Sequence, residues 1–492
     1  MEDGLILWAL LVIPFLGGFC CILSSKGFTI RWIACATVWT MLATAFVSLW
    51  IVSIEGAIQA AHGWLFLDML SSYHVVLLQV VFALSTLFAK SYFPAEIAHN
   101  AFNSALLPRY GMLWLSALGA MNLVFVSNNI GIMWVGVEAT TLITAFLICI
   151  HVTPKSLEAM WKYLIMCSVG VALAFIGTML VGAAGGNLKG SHSQSLLWTF
   201  LYENAGSLNP FFMKMAFLFL VVGYGTKAGF APMHSWLPDA HSQAPAPVSA
   251  LFSGFLLSTA FYCIMRYLPL VEMATGKTGW AMDILVFFGL FSIIIAAAFM
   301  VFQQDIKRLL AYSSIEHIGI MAVGLGLGGV GTFAALFHLL NHSMGKPLCF
   351  FSAGKLVQIY GTNSIYRIKN ALKITPVWAT GFFLSFLALI GMAPFAIFMS
   401  KFQILKAIIE KADYISLALF LFGCAVVFIS ALRYMLLILW GESEANIHPQ
   451  KAYKKDIFLV AFPMLVLLIL GLFMPEFLQN ILQKAANIIQ GY

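Results

Sequence analysis

The chain has 492 residues, 62% of them hydrophobic and 9% charged, with a mean hydropathy of +0.95. A soluble globular protein carries about 25% charged residues because its surface must face water, so a soluble enzyme, a nucleic-acid binder and a disordered scaffold are excluded. The 26 basic and 19 acidic side chains leave a net charge of +7, an excess of the kind that basic cytoplasmic loops give a membrane protein.

In chain order, apolar runs fall at about 5–24, 30–52, 68–92, 107–127, 129–150, 161–184, 211–236 and 245–268. They continue at about 280–303, 309–328, 331–355, 376–400, 414–440 and 457–480. With about 20 residues per crossing, these runs predict an all-α polytopic membrane protein with about fourteen transmembrane helices. The start, Met1-Glu2-Asp3, has no basic region or small-residue cleavage site, so the first run reads as a retained helix. No connecting stretch is long enough for a soluble domain; the longest, about 185–210 and 441–456, are short connectors.

Sorting the basic residues onto alternate sides gives an uneven split. One side takes Lys26, Arg31, Lys90, Arg109, Lys155, Lys162, Lys307, Arg308, Lys355, Arg367, Lys369, Lys373, Lys451, Lys454 and Lys455. The other takes Lys189, Arg266, Lys277, Lys406, Lys411 and Lys484. The bias assigns the richer side to the cytoplasm and both ends of the chain to the outside, as expected for a multi-pass protein of a bacterial inner (plasma) membrane.

The cysteines, Cys20, Cys21, Cys35, Cys149, Cys167, Cys263, Cys349 and Cys424, lie in or beside apolar runs and form no CxxC pair. They read as small core residues, and no metal or other cofactor is expected in this chain. Gly324, Gly326, Gly328, Gly329 and Gly331 lack the following Lys-Ser/Thr of a phosphate loop and read as a turn.

An ionisable residue at membrane depth costs a few kcal/mol or more and is a functional candidate by default. Glu138 sits near the middle of the fifth run and Lys227 mid-depth in the seventh. Glu316 and His317 lie in the tenth. His338, His342 and Lys346 follow at i, i+4 and i+8 in the eleventh, on one helix face. Lys401 follows a run interrupted by Pro394. Each has a plainer alternative. Glu138 and Lys227 could form a static ion pair, the histidines could simply bond a neighbouring helix, and Arg433 and Lys214 could snorkel to the interface. Metal ligation by the histidines is disfavoured by Lys346 and by the lack of a carboxylate on that face.

Breaks accompany the charges. The seventh run leads into Pro232, Pro238, Asp239 and His241, the eleventh carries Pro347, and the twelfth carries Gly391 and Pro394. Irregular backbone at membrane depth survives only where protein or water satisfies it. Charge-plus-break segments in each half point to an inverted-repeat ion transporter with discontinuous helices.

The stretch Lys227-Ala228-Gly229-Phe230-Ala231-Pro232-Met233-His234-Ser235-Trp236-Leu237-Pro238-Asp239-Ala240-His241 resembles the signature of the antiporter-like membrane subunits. That family is shared by respiratory complex I, Mrp-type antiporters and energy-converting [NiFe] hydrogenases. Further matches are Gln304–Ser314 and His338–Lys346, and the resemblance covers roughly residues 70–440. Ala393–Phe402 is most similar to the hydrogenase-type members, typified by hydrogenase-4 component F and the formate hydrogenlyase membrane subunits. The short stretch after the fourteenth run also fits the shorter members, without a long lateral helix.

The resemblance implies two inverted five-helix repeats. It divides the chain into helices 1–3 (residues 1–105), a first repeat (106–270), a second repeat (271–440) and a last helix (441–492). It also implies roles. Glu138 would modulate the charge of Lys227, the proton carrier of the first half-channel. His317, His338, His342 and Lys346 would lie along a central polar axis, and Lys401 would serve the second half-channel. Where many relatives carry a lysine in helix eight this chain has Ser258, so the step between half-channels would run through water held by Ser258 and Thr259.

The expected function is proton translocation within a membrane-bound oxidoreductase of hydrogenase-4/formate hydrogenlyase or NADH:quinone type. Its electron carriers, iron–sulfur clusters with nickel–iron or flavin, would sit in partner subunits. The alternatives are an Mrp-type Na+/H+ antiporter subunit and the membrane subunit of a proton-driven inorganic carbon uptake complex with a soluble zinc partner. The expected partners are other membrane and peripheral subunits, the lipid bilayer, and protons or Na+. Physically, burial disfavours a charged lysine and a nearby carboxylate favours it. A Glu138–Lys227 pair at about 4 Å, worth about 4 kcal/mol at an effective dielectric near 20, would therefore act as a proton switch.

Overall fold

The computed structural model describes residues 3–186, 194–442, 448–451 and 453–491. Met1, Glu2 and Lys189, used in the sequence reading, lie outside the described residues. With no water in hydrocarbon, backbone amides must be satisfied within the crossing segment, and every apolar run is helical. The chain opens with α1 (Asp3–Leu23), α2 (Gly27–Glu55), a hairpin of β1 (Ile58–Ala60) and β2 (Leu65–Leu67), and α3 (Met69–Ala98). There follow α4 (Leu107–Val126), α5 (Ile130–Ile148), α6 (Pro154–Ala184), α7 (Trp198–Glu203), α8 (Pro210–Ala228) and α9 (Trp236–Gln243). Next, α10 (Ala246–Leu251) runs through a π-helical turn, Phe252–Leu256, into α11 (Leu257–Ala274). The second half comprises α12 (Trp280–Met300), α13 (Ile306–Leu327), α14 (Val330–Tyr360), α15 (Ala371–Ile374), α16 (Pro376–Ile390), α17 (Ala396–Glu410) and α18 (Tyr414–Trp440). It closes with α19 (Lys454–Leu472) and α20 (Glu476–Gln490).

Twelve spans are long and apolar enough to cross a membrane among the described residues. The polar α14 and the discontinuous α16–α17 pair supply the other two of the fourteen. Asn129, Asn209 and Asp305 start α5, α8 and α13 by accepting hydrogen bonds from first-turn amides, the role for which Asn and Asp are favoured. Small residues let helices approach closely. A Cβ on Gly223 of α8 would lie 2.5 Å from the Ala174 amide of α6, and one on Gly289 of α12 would lie 2.7 Å from the Gly319 carbonyl of α13.

The loops sort onto two faces. On one, Asn128 N–H donates to Trp64 O, Trp198 N–H to Asn128 O, and the hairpin pairs Ile58 with Leu67 beside the start of α1. On the other, Ile306 N–H donates to Asn363 O, Gln450 N–H to Ile374 O, and Ser242 Oγ to Asp305. α20 lies on the first face, where Lys484 donates to Ser53 O and Gln490 to Gly329 O. Both ends of the described chain are therefore on one side.

Four features depart from the sequence reading. The fourteenth run does not reach 480 as one helix: α19 stops at Leu472, and α20, led in by Pro475, buries Leu482 and Ile489 along one side. The hairpin interrupts an otherwise helical chain. Pro347 does not break α14, which continues from Val330 to Tyr360, and its ring packs against Gly254 of the π-turn, where a Cβ would lie 2.8 Å away. Finally, Arg266 and Lys307 are not loop charges. Arg266 is buried on α11 in a two-pronged pair with Asp68 at 2.6 and 2.7 Å, and Lys307 is buried with its ammonium on Ala244 O at 2.9 Å.

Candidate functional site

The spans Ala246–Ala274 and Ile306–Leu327 are buried throughout their apolar windows. With α14 they form the middle of the bundle, so their polar side chains face protein rather than lipid. That separation from lipid is what makes a polar axis affordable there.

In the first half, Lys227 stands in the last turn of α8, just before the chain leaves helical geometry at Gly229 (φ 91°). Its ammonium donates to Val137 O at 3.2 Å, to Tyr163 Oη at 3.3 Å and to Thr141 Oγ1. Tyr163 Oη is itself bonded to Thr144 Oγ1 at 2.7 Å. Glu138 is on α5, one residue from Val137. Its Oε1 accepts from Ser168 Oγ at 3.2 Å, its Oε2 is buried without a hydrogen-bond partner among the described residues, and it forms no ion pair with Lys227 there.

Pro232 lies in the turn between α8 and α9, whereas Pro238, Asp239 and His241 lie inside α9. The break leaves few backbone groups unmet. Trp236 Nε1 donates to Thr226 O at 2.9 Å and Ala231 N–H to Ser292 Oγ at 3.0 Å. Asp239 accepts from Lys162 at 3.0 Å and from Arg308, tying α6, α9 and α13 together at the second face. His241 stacks on Phe350 with ring centres 5.1 Å apart, and neither of its nitrogens has a hydrogen-bond partner among the described residues.

At the centre, the π-turn brings Ser253 Oγ within 2.6 Å of Ser314 Oγ on α13. Ser314 bonds Leu310 O at 3.0 Å, and the same carbonyl accepts from the Lys346 ammonium at 2.9 Å. A π-turn inside a helix is a frequent mark of a functional site. Ser258 is buried and its hydroxyl has no partner among the described residues, while Thr259 bonds Phe255 O.

From Lys346 the polar file continues along α14. His342 has no hydrogen-bond partner on either nitrogen among the described residues, and its ring centre is 5.1 Å from that of His317 on α13. His317 Nδ1 meets His338 Nε2 at 2.9 Å, and His338 Nδ1 meets Ser400 Oγ at 2.8 Å. Ser400 adjoins Lys401 on α17. The Lys401 ammonium donates to Glu316 Oε1 at 2.9 Å and to Ile390 O, the last residue of α16, at 3.4 Å. Pro394 lies in the turn between α16 and α17, and Gly391 (φ 89°) ends α16 as Gly229 ends α8.

Sequence reasoning did not place Thr141, Tyr163, Ser253, Ser314 or Ser400, and it noted Glu316 without pairing it. Hydroxyl residues in apolar helices are common and normally bond their own helix, so only their company with lysines and histidines could have singled them out. Among the described residues, no group of three or more His, Cys, Asp or Glu is placed to hold a metal ion.

Residues 127–428, more than half of the chain, match the family described as NADH:quinone oxidoreductase/Mrp antiporter, TM. The chain belongs to this family. It is 36% identical over 387 residues to a hydrogenase-4 component F homolog of Methylacidiphilum infernorum, covering 78% of this chain and 80% of that protein. It is 29% identical over 405 residues to Na(+)/H(+) antiporter subunit A1 of Staphylococcus haemolyticus, covering 76% of this chain but only 49% of that protein. Its fold matches a chain of the membrane-bound sulfane sulfur reductase, an archaeal respiratory membrane complex, with a TM-score of 0.86. That match has 22% identity and covers 99% of this chain and 98% of the other. The family and the fold together establish an antiporter-like, multi-pass membrane subunit.

Proposed function

We propose that the chain translocates protons as one membrane subunit of a multisubunit membrane-bound oxidoreductase, of the hydrogenase-4/formate hydrogenlyase type. The observation that carries this reading is the buried file from Lys346 through His342, His317, His338 and Ser400 to the Lys401–Glu316 pair. Histidine can donate and accept at its two nitrogens, so a run of close histidines is suited to handing a proton along. The similarity to a protein named as a hydrogenase-4 component F homolog supports the choice of complex.

Lys227 and Lys401 sit at broken helices, Lys227 in the last turn of α8 and Lys401 against the end of α16, whereas Lys346 lies within the continuous α14. Carbonyls at a helix C-terminus favour a cation, and Lys401 uses Ile390 O in this way. At 2.9 Å and an effective dielectric near 20, the gross attraction of Lys401 to Glu316 is about 6 kcal/mol, which offsets part of the cost of burying the two groups. When such a pair opens, the lysine loses the group that holds its proton, and the proton is free to pass to the next site. In the first half Glu138 would play the carboxylate part toward Lys227, and Ser258 and Thr259 would bridge to Lys346 through water, which suits a buried hydroxyl without a partner among the described residues.

The same reading includes two inverted repeats, about 106–270 and 271–440, between leading helices over 1–105 and a tail over 441–492. It also includes an inner-membrane location with the basic-rich face in the cytoplasm and both chain ends outside, and redox centres carried by partner subunits. A second reading, a Na+/H+ antiporter subunit, draws on the likeness to antiporter subunit A1. The deciding experiment recovers the complex from native membranes in mild detergent, quantifies iron and nickel, and assays proton uptake in sealed vesicles. Iron with nickel and redox-driven pumping is the expected outcome. A metal-free complex with sodium-dependent proton exchange would move the antiporter to first place.

A further inference from the structure

On the basic-rich face, the start of α2, the last turns of α3 and the start of α19 enclose a recess of about 590 Å³. Arg31, Lys90, Lys454 and Lys455 line it, and no carboxylate does. None of the four takes part in an ion pair among the described residues. The first amides of α2, which start beside the recess, have no side-chain cap and add partial positive charge. Asp456, the acid in the first turn of α19, is already committed: it accepts from Tyr453 N–H and lines a neighbouring recess.

Four like charges converging at the edge of the hydrocarbon repel one another unless an anion joins them. The walls say which kind of anion. Trp32 and Phe458 are 52% and 47% exposed, and the Lys90 ammonium is held 4.2 Å from the centre of the Trp32 ring. A small hydrated anion gains nothing from such walls, whereas a phospholipid presents its phosphate to the cations and its acyl chains to the aromatic rings.

We propose that this recess binds an anionic phospholipid, with its phosphodiester among Arg31, Lys90, Lys454 and Lys455 and its chains along Trp32 and Phe458. The test is native mass spectrometry of the full-length protein in detergent micelles doped with phosphatidylglycerol or phosphatidylcholine. It compares the wild type, a Lys90→Gln/Lys454→Gln/Lys455→Gln variant, and a Lys406→Gln control on an exposed helix pair away from the recess. The expected result is roughly tenfold or greater retention of phosphatidylglycerol over phosphatidylcholine in the wild type and control, lost in the triple variant. Equal retention of the two lipids, or unchanged retention in the triple variant, would overturn the proposal. So would full displacement of the lipid by millimolar inorganic phosphate, which would mark a free-anion site. The substituted side chains lie at the surface or half-buried, and matching circular dichroism melts would show that a loss of lipid is not a loss of fold.

Discussion

The two halves of the bundle hold the same pair of chemical groups in opposite arrangements. In the second half Lys401 and Glu316 are joined at 2.9 Å. In the first, Lys227 rests on a carbonyl, a threonine and a tyrosine, while Glu138 bonds Ser168 and forms no ion pair with Lys227 among the described residues. The neutral oxygens around Lys227 give it partners of modest net worth, whereas Glu316 gives Lys401 a charge. Among the described residues, one chain thus holds one lysine–carboxylate pair joined and the other apart. Exposure differs at the level of the residue: Glu316 is fully buried, and Glu138 is partly exposed near the exposed Val135 and Leu142, although its Oε2 is buried.

The largest effect is expected from Glu316→Gln. It leaves the Lys401 ammonium buried without a counter-charge, a loss of about 3–5 kcal/mol when one partner of a buried pair is removed. Thermal unfolding in detergent should drop clearly, and proton pumping in vesicles should vanish. Next comes the relay. His338→Phe should preserve folding and both lysines but reduce pumping at least tenfold, because it removes the link between His317 and Ser400. Pumping at the wild-type rate would remove the histidines from the path.

Lys227→Ala and Glu138→Gln come third. Each is expected to abolish coupled proton movement while leaving assembly intact, with a stability change of only about 1–2 kcal/mol, since no ion pair is broken. A loss of stability as large as that of Glu316→Gln would erase the contrast between the halves. The smallest effect belongs to Tyr163→Phe, which removes one of the three bonds to Lys227. About 0.5–1.5 kcal/mol of stability and a several-fold fall in pumping rate are expected, measured by the same melts and vesicle assay.

The fold was largely legible because hydrocarbon imposes one rule, helices with satisfied backbones, and fourteen apolar runs announce it. Where the sequence reading went astray, local and tertiary effects competed. Pro347 reads as a break until Gly254 is seen to make room for its ring, and Arg266 reads as a loop charge until Asp68 is seen beside it. The tail from 473 onward merges with the last run in hydropathy, although Pro475 marks the turn.

The site was legible in its charges and not in its connections. Lys227, Lys346, Lys401 and the histidines stand out because the membrane penalises them. Which carboxylate each lysine meets depends on how α5, α8, α13 and α17 cross, and no spacing within one helix encodes that. The hydroxyls that link them, Ser253, Ser314 and Ser400, are indistinguishable in sequence from serines that bond only their own helix turn.

The contrast between an open first pair and a closed second pair is tested most directly by two double-mutant cycles on unfolding free energy, Glu138→Gln with Lys227→Gln and Glu316→Gln with Lys401→Gln. The expected result is a coupling of about 3 kcal/mol or more for the second pair and less than about 0.5 kcal/mol for the first. Equal couplings in the two halves would contradict the opposite arrangement of the two pairs.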